Sequence, residues 1–481
     1  MSETTLRPPE RAATTTEDPA DPAPRRRARW RGALLRLHFY AGVFIGPFIL
    51  IAALTGTAYA LTPQLEAWLY HDELTATSPH DPLPLAEQVH AAQQVVAGAP
   101  LHAVRPAPEP GATTRVLFAD PSLGASEFRT VFVDPGDGTV TGDLTTYGTS
   151  GVLPLRMTLD QLHRNLLLGE PGRIYSELAA SWLWVVALAG VTLWAARRKR
   201  NRTRRRDPAP ARATATRRHS RLGIAMLGGA LLLSATGLTW SAYAGANIAE
   251  LRTAAGWSTP EVDTSAAHRE QDPHAEHRGA DGDSVPGDTA APAPSDDATV
   301  ETVLAAARGA GIDASTIEIA VPERPGDAWT VSEIDRSWPT QVDTVAVDGA
   351  TGEVTDRVRF ADYPLGAKLA RWGIDLHMGT LFGWPNQVAL AAVGAGLTAV
   401  TVLGYRLWWQ RRPGRAGFGR PVSRGQWRGL PRWALVAAGA TAAAIGLLTP
   451  LFGLSLLVFV VVDVLIGRLA ALRRRRLSHT G

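Results

Sequence analysis

Six stretches of this chain run almost without charge: residues 37–61, 178–196, 222–246, 387–405, 433–449 and 451–467, the last interrupted only by Asp463. About 18–20 apolar residues, rising 1.5 Å each in a helix, span the hydrocarbon core of a bilayer, so each stretch is predicted to be a transmembrane helix. Two polar regions between them, 66–160 and 247–370, follow a different pattern. Each offers one helix candidate, residues 85–96 and 300–310, and then short alternating segments that read as strands. Segments 128–134 and 139–143 flank Pro135-Gly136-Asp137-Gly138, and segments 340–348 and 353–359 flank the turn 349–352. That predicts one hairpin in each region. The expected fold class is a polytopic α-helical membrane protein, about six transmembrane helices with internal duplication, carrying two small extracytoplasmic α+β modules.

The duplication is visible at the level of single residues. His38 precedes Thr55-Gly56 by the same spacing with which His219 precedes Thr236-Gly237, an offset of 181 residues that also relates Arg36 to Arg217 and Gly42 to Gly223. From Val133-Asp134 and Val347-Asp348 onward the offset is 214: His163, Gly169, Pro171, Gly190, Trp194 and Arg197-Arg198 recur as His377, Gly383, Pro385, Gly404, Trp408 and Arg411-Arg412. The difference of 33 residues must be extra sequence in the second copy. Residues 263–298, rich in Asp, Ala, Pro, Gly and His, have the composition of a disordered linker, because so little apolar surface cannot offset the entropy of ordering.

Charge sets the expected orientation. Arginines cluster at 25–36, 197–221, 406–428 and 473–476, and all four clusters fall on one side if both termini are cytoplasmic, as basic loops are. The net charge of +4 is thereby explained by topology, with no nucleic-acid partner. The expected organisation is a disordered basic cytoplasmic tail (1–30), a first span (31–65), an extracytoplasmic module (66–160), a surface segment with the second span (161–198), a basic cytoplasmic loop (199–218) and a third span (219–246). A second module (247–370, containing the insert 263–298), a surface segment with the fourth span (371–412), a cytoplasmic loop (413–430), the fifth and sixth spans (431–470) and a cytoplasmic tail (471–481) follow. The chain has no cysteine, which excludes disulfides, thiolate metal sites, iron–sulfur clusters and covalent c-type haem.

Topology also sorts the four repeated histidines. His38 and His219 open spans that start on the cytoplasmic side, whereas His163 and His377 precede spans that start outside, so each membrane face receives one pair. A helix from His163 to Trp194 is too long for one span, and Gly169, Pro171 and Gly172 are expected to break it.

A helix and a "VDPGDGTVTG" or "VDGATGEV" hairpin, alternating with helices that open on "LHFYAG" and on "LH" followed by "GxP", resembles the PepSY-associated transmembrane family over residues 30–412. The resemblance implies a bacterial-type inner-membrane protein that reduces a ferric siderophore or other ferric chelate through two b-type haems, with His38, His219, His163 and His377 as haem-iron ligands. An electron would enter at the haem of His38 and His219, cross to that of His163 and His377, and reduce the chelate outside. A quinol or a separate reductase is the implied donor, since no flavin or nicotinamide domain is recognisable. Two rival readings stand beside it: a non-catalytic membrane protein whose modules bind peptide, peptidase or cell-wall partners, and an accessory protein in metal uptake.

Other candidates carry less. Thr55-Gly56 and Thr236-Gly237 either leave room for a cofactor or serve helix packing. Asp463 is an intramembrane acid, either functional or snorkelling toward Arg468. Gly394-Ala395-Gly396 imitates a dinucleotide fingerprint but lies inside a span, where it reads as packing. His268, His274 and His277 sit in the linker and offer a weak copper or zinc site. Trp194, Trp408 and Trp409 read as interface anchors.

Overall fold

The computed structural model describes residues 22–201, 211–265, 297–411 and 431–479. The first 21 residues, most of the linker with His268, His274 and His277, and the loop 413–430 lie outside the described residues. In chain order the elements are α1 (Pro22–Phe44), α2 (Gly46–Ala60), α3 (Thr62–Leu69), α4 (His71–Leu74), α5 (Leu85–Val95), β1 (Leu101–Arg105), β2 (Thr114–Phe118), β3 (Glu127–Val133), β4 (Val140–Tyr147), α6 (Pro154–Asn165) and α7 (Glu170–Asn201). The second copy supplies α8 (Ala211–Ala225), α9 (Leu227–Thr239), α10 (Tyr243–Ala254), α11 (Asp297–Gly309), β5 (Ile317–Ala320), β6 (Trp329–Glu333), β7 (Thr344–Val347), β8 (Val354–Val358), α12 (Leu365–Met378) and α13 (Trp384–Trp409). A hairpin of α14 (Arg432–Leu448) and α15 (Pro450–His479) ends the chain. Helix α1 starts inside the stretch expected to be a disordered tail, its two prolines falling in the first turn, where no hydrogen bond is lost.

Glu170–Lys199, Trp384–Trp409 and Pro450–Ala470 are each long and apolar enough to cross a membrane, and Arg432–Leu448 is a shorter apolar helix. The first and third apolar runs are not straight. α1 and α2 meet at 57° and α8 and α9 at 56°, so the described residues hold three candidate spans, or five if each bent pair is one. The bends fall at Ile45 and Met226, which are equivalent positions in the two copies. At the first bend the Tyr405 hydroxyl donates to the Val43 carbonyl at 2.7 Å, occupying an acceptor next to the broken ladder. Equivalent helices pack in exchanged pairs, α2 on α13 and α9 on α7. The dinucleotide-like glycines are packing points. A Cβ on Gly394 would lie 2.1 Å from Thr57 Oγ1 and 2.9 Å from the Ala53 carbonyl, and one on Gly396 would lie 2.1 Å from Met226 Sδ.

The two polar regions differ from expectation in one respect. Instead of two separate sheets they build a single eight-stranded sheet in the order β4-β3-β2-β1-β5-β6-β7-β8, antiparallel throughout. The seam is β1 against β5, with Ala103 opposite Ala320 and Val104 opposite Ile319. Joining there satisfies two edges that would otherwise expose unpaired backbone groups. Helices α5 and α11 cover one face, and Val89, Val300 and Val303 on the helices and Val104, Val116, Val131, Ile319, Val331 and Val345 on the strands are fully buried between the two layers. At about 1.5–3 kcal/mol for each large apolar side chain, this layer dominates the stability of the extramembranous part.

Both predicted hairpins form, and their turns are built alike. Gly138 and Gly352 have φ of +75° and +72°, a conformation open to glycine, and donate to the carbonyls of Asp134 and Asp348 at 2.9 Å. Burial opposes ionisation of Asp134, but backbone N–H groups of Thr77 (2.6 Å), Ser78 (2.9 Å) and Gly136 (3.0 Å) outweigh it and hold its pKa below the usual value. A depressed carboxylate adds stability that is complete above its unfolded pKa, near 4, and is lost as pH falls through the lower folded value. Asp134→Ala is therefore expected to cost about 1–3 kcal/mol at neutral pH, and Asp134→Asn to flatten the acid side of the stability profile. Thermal unfolding measured from pH 7 to pH 3 checks both; an unaltered profile in Asp134→Asn would remove the turn from the account.

Candidate functional site

The bundle brings the repeated histidines together in two pairs. The rings of His38 and His219 have centroids 6.2 Å apart at 73°, and those of His163 and His377 have centroids 6.4 Å apart at 65°. The second pair lies at the end of the bundle that carries the sheet, on α6 and α12, and the first lies toward the opposite end, on α1 and α8. Along α7 the two levels are separated by the stretch from Tyr175, whose hydroxyl donates to the His163 carbonyl, to Val186, which holds the His38 ring. Eleven residues of helix amount to about 16 Å.

Each imidazole is oriented through Nδ1. His38 Nδ1 hydrogen bonds to the Val186 carbonyl and His219 Nδ1 to the Val400 carbonyl, both at 3.0 Å. His163 Nδ1 bonds to Thr55 Oγ1 at 2.9 Å and His377 Nδ1 to Thr236 Oγ1 at 2.6 Å. Val186 and Val400 are equivalent in the repeat, as are Thr55 and Thr236. The threonines are themselves fixed, each Oγ1 donating one turn back to the carbonyl of Ile51 (2.8 Å) or Leu232 (2.7 Å). Engaging Nδ1 with a neighbouring helix turns Nε2, across the ring, away from that helix.

A glycine lies beside every ring, tightly at His163 and His38. A Cβ on Gly56 would lie 3.1 Å from His163 Cε1, and one on Gly190 3.3 Å from His38 Cε1; on Gly404 and Gly237 the distances to His219 and His377 are 3.6 and 3.9 Å. In the first copy the Thr-Gly motif thus has two tasks at one helical level, Thr55 orienting His163 and Gly56 making room for it, whereas a Cβ on Gly237 would meet His377 at ordinary contact distance.

The spacing within a pair is informative. Two imidazoles on opposite sides of one metal ion, with metal–nitrogen bonds of about 2.0 Å and about 1.1 Å from nitrogen to ring centre, have centroids about 6.2 Å apart. Both pairs match that separation. Among the described residues no group of three or more His, Cys, Asp or Glu is placed to hold a metal ion. Two imidazoles alone would suit an iron whose remaining ligands a macrocycle supplies.

Asp463 lies apart from both pairs. It forms an ion pair with Arg36, which is 1% exposed and stacks over Tyr40 at 4.9 Å. The snorkelling alternative, toward Arg468, is replaced by a partner 427 positions away. The equivalent of Arg36, Arg217, is exposed and donates to Thr214 Oγ1 at 3.1 Å. The asymmetry follows from the C-terminal hairpin: α15 packs on α7, where Trp182 Nε1 donates to Ser455 Oγ at 2.9 Å and its ring meets Phe452 at 4.9 Å, while the second copy meets the hairpin at α10, where Asn247 Nδ2 donates to the Leu447 carbonyl at 3.0 Å.

Two partners escape a reading of residue types, the Val186 and Val400 carbonyls, because every residue carries a carbonyl. Their recurrence at the offset of 214 is the only trace they leave.

No curated protein matches the chain. The family model described as the PepSY-associated TM region matches residues 35–411, a span that contains all four paired histidines, both Thr-Gly motifs and the whole sheet. The chain belongs to the PepSY-associated TM family of membrane proteins.

Proposed function

We propose that this protein is a dihaem electron-transfer protein of the bacterial cytoplasmic membrane that reduces a ferric chelate on the side carrying the sheet. The observation that carries the reading is the pair geometry: two sets of facing imidazoles, each held through Nδ1 and spaced as ligands of one shared iron. In this reading the five candidate spans and the shorter apolar helix make six crossings. Both termini are cytoplasmic, the two halves of the sheet are PepSY-like modules, and the electron donor is a quinol or a separate reductase.

His38 and His219 would hold one b-type haem and His163 and His377 the other, each through Nε2. Haem iron held by two imidazoles supplies a one-electron couple at each end of the bundle. The chain's own residues do the rest. Thr55, Thr236 and the carbonyls of Val186 and Val400 fix the ring orientation, and hydrogen bonds of this kind strengthen imidazole as a ligand. The apolar helices keep bulk water from the bundle interior, and placing the modules outside gives a bulky chelate a protein surface to approach. Fe(II) is held far more weakly than Fe(III) by hard oxygen donors, so reduction there amounts to release.

The test is an absorption spectrum of the purified protein, oxidised and then reduced with dithionite. A Soret band with sharp α and β bands on reduction is expected. A spectrum without them, after expression with ample haem, would overturn the reading. Gly56→Val and Gly190→Val sharpen it. The first is expected to push His163 aside and remove the sheet-end haem alone, and the second to displace His38 and remove the other, each halving the haem per protein. Retention of both haems in either variant would show that the glycines are not accommodating ligands.

A further inference from the structure

The face of the sheet turned toward the bundle carries an unusual concentration of arginine. Arg105 on β1 and Arg115 on β2 are opposite each other in register, and Arg156 on α6, Arg371 on α12 and Arg336 after β6 come in from around them. Acidic partners are present, with Arg105 paired to Glu318 at 2.6 Å and Arg371 to Asp375 at 3.0 Å. With Glu66 and Asp160, which lie beside Arg156, they make four carboxyl groups among the five arginines. Burial pushes the carboxyl groups of Glu66, Asp160 and Asp375 above their usual values, which disfavours their charged forms. Burial, reinforced by neighbouring arginines, lowers Arg115 and Arg336 to about 10, so both still carry charge at neutral pH.

Two of the guanidinium nitrogens of Arg156, Nε and Nη2, are buried without a hydrogen-bond partner, a costly arrangement for a charged donor. Arg156 also lies over the Tyr59 ring at 4.8 Å, one helical turn beyond the Thr55 that orients His163. Arg336 Nη1 is 4.0 Å from Sδ of Met378, the residue after His377. The patch therefore adjoins the sheet-end pair from both sides. It is not an inheritance of the duplication, since Arg156 corresponds to Ala370 and Arg371 to Met157. The two halves diverged here while their histidines did not.

We infer that this patch, with Arg156 and Arg336 at its centre, binds an oxyanion beside the His163–His377 pair. Planar guanidinium groups bind carboxylate bidentately, so a carboxylate-bearing ligand is the class that fits. Two sources offer that chemistry: an anionic ferric chelate, or the carboxylate arms of a haem at the pair. The inference deepens the electron-transfer reading but is tested independently of it.

Gallium(III) citrate is the probe, because gallium accepts no electron and so reports binding whether or not the protein transfers electrons. Full-length wild type, titrated calorimetrically in detergent, is expected to bind it and to lose it to added sulfate. Arg156→Gln and Arg336→Gln are expected to bind at least 10-fold more weakly, Arg156→Lys to be closer to wild type, and uncharged gallium tris(acetohydroxamate) to respond to none of these changes. Haem per protein is measured on the same samples. Weakened citrate binding with haem intact assigns the patch to the chelate. Halved haem with citrate binding intact assigns it to the cofactor's carboxylates, and if both fall, titration of haem-depleted wild type decides between the sources. Unchanged citrate affinity together with unchanged haem in the Gln variants would overturn the proposal. If those variants do not fold, sulfate-insensitive citrate binding by wild type does so instead. A protein that never contains haem yet binds gallium citrate through Arg156 retains the patch and loses the electron-transfer reading.

Discussion

His377→Ala is expected to halve the haem content of the purified protein, with the remaining reduced spectrum belonging to the pair at the other end of the bundle. The expectation follows from independence of the two levels, since His377 faces His163 and is held by Thr236, whereas His38 is held by the Val186 carbonyl, about three turns along α7, and His219 by the Val400 carbonyl on α13. His38→Ala should give the complementary half. Thr236→Ala keeps the ligand but frees its Nδ1, and changes of this kind weaken binding about 10–100-fold without abolishing it. The ordering wild type, Thr236→Ala, His377→Ala should therefore appear in haem retention during dialysis against apomyoglobin. Loss of both haems from His377→Ala, in protein that still unfolds cooperatively, would show one composite site and contradict the paired arrangement.

The second large effect concerns stability. Arg36 is almost wholly buried and its ion pair with Asp463 joins the first helix to the last. Removing the carboxylate takes its ion-pair partner from a buried guanidinium, and Asp463→Ala is expected to cost about 3–5 kcal/mol. Replacing both members with leucine should restore most of that loss, because an apolar pair of similar volume is often no worse than the ion pair itself. Unfolding by heat or by added ionic detergent measures the difference. A double variant as unstable as Asp463→Ala would mean that the carboxylate does something other than neutralise Arg36.

Much of this architecture is legible in the sequence because the chain repeats itself. The matching offsets single out four of twelve histidines and, with hydropathy, divide them between two levels, and the structure places those four residues as two facing pairs. The hairpin turns are equally readable, since an Asp followed four residues later by a glycine of positive φ is local chemistry. What escapes is non-local. Arg36 and Asp463 are 427 positions apart, and nothing in either flank announces the other. The seam between β1 and β5 joins segments more than 200 positions apart whose residues, Ala103, Val104, Ile319 and Ala320, suit any buried strand. The bend at Ile45 is announced by Pro47 in the first turn of α2, but the equivalent bend at Met226 carries no proline, and a hydropathy profile runs straight through both. The arginine patch is assembled from four elements and a loop, so each member looks like an ordinary surface residue until the sheet is laid over the bundle.

Equivalent residues meet each other at both levels, and this bears on how the molecule arose. A chain of half this length would own one imidazole at each level and an open β1 edge. It would own no complete pair. Two such chains related by a true twofold axis would complete both levels at once, with β1 closing against its own copy as β1 now closes against β5. Fusion would make obligatory what in two separate chains depends on encounter and concentration. It would also release the two halves from identity, so that Arg156 stands at a position held in the other half by alanine. A symmetric ancestor fits one ligand in two equal ways; the fused chain is free to prefer one.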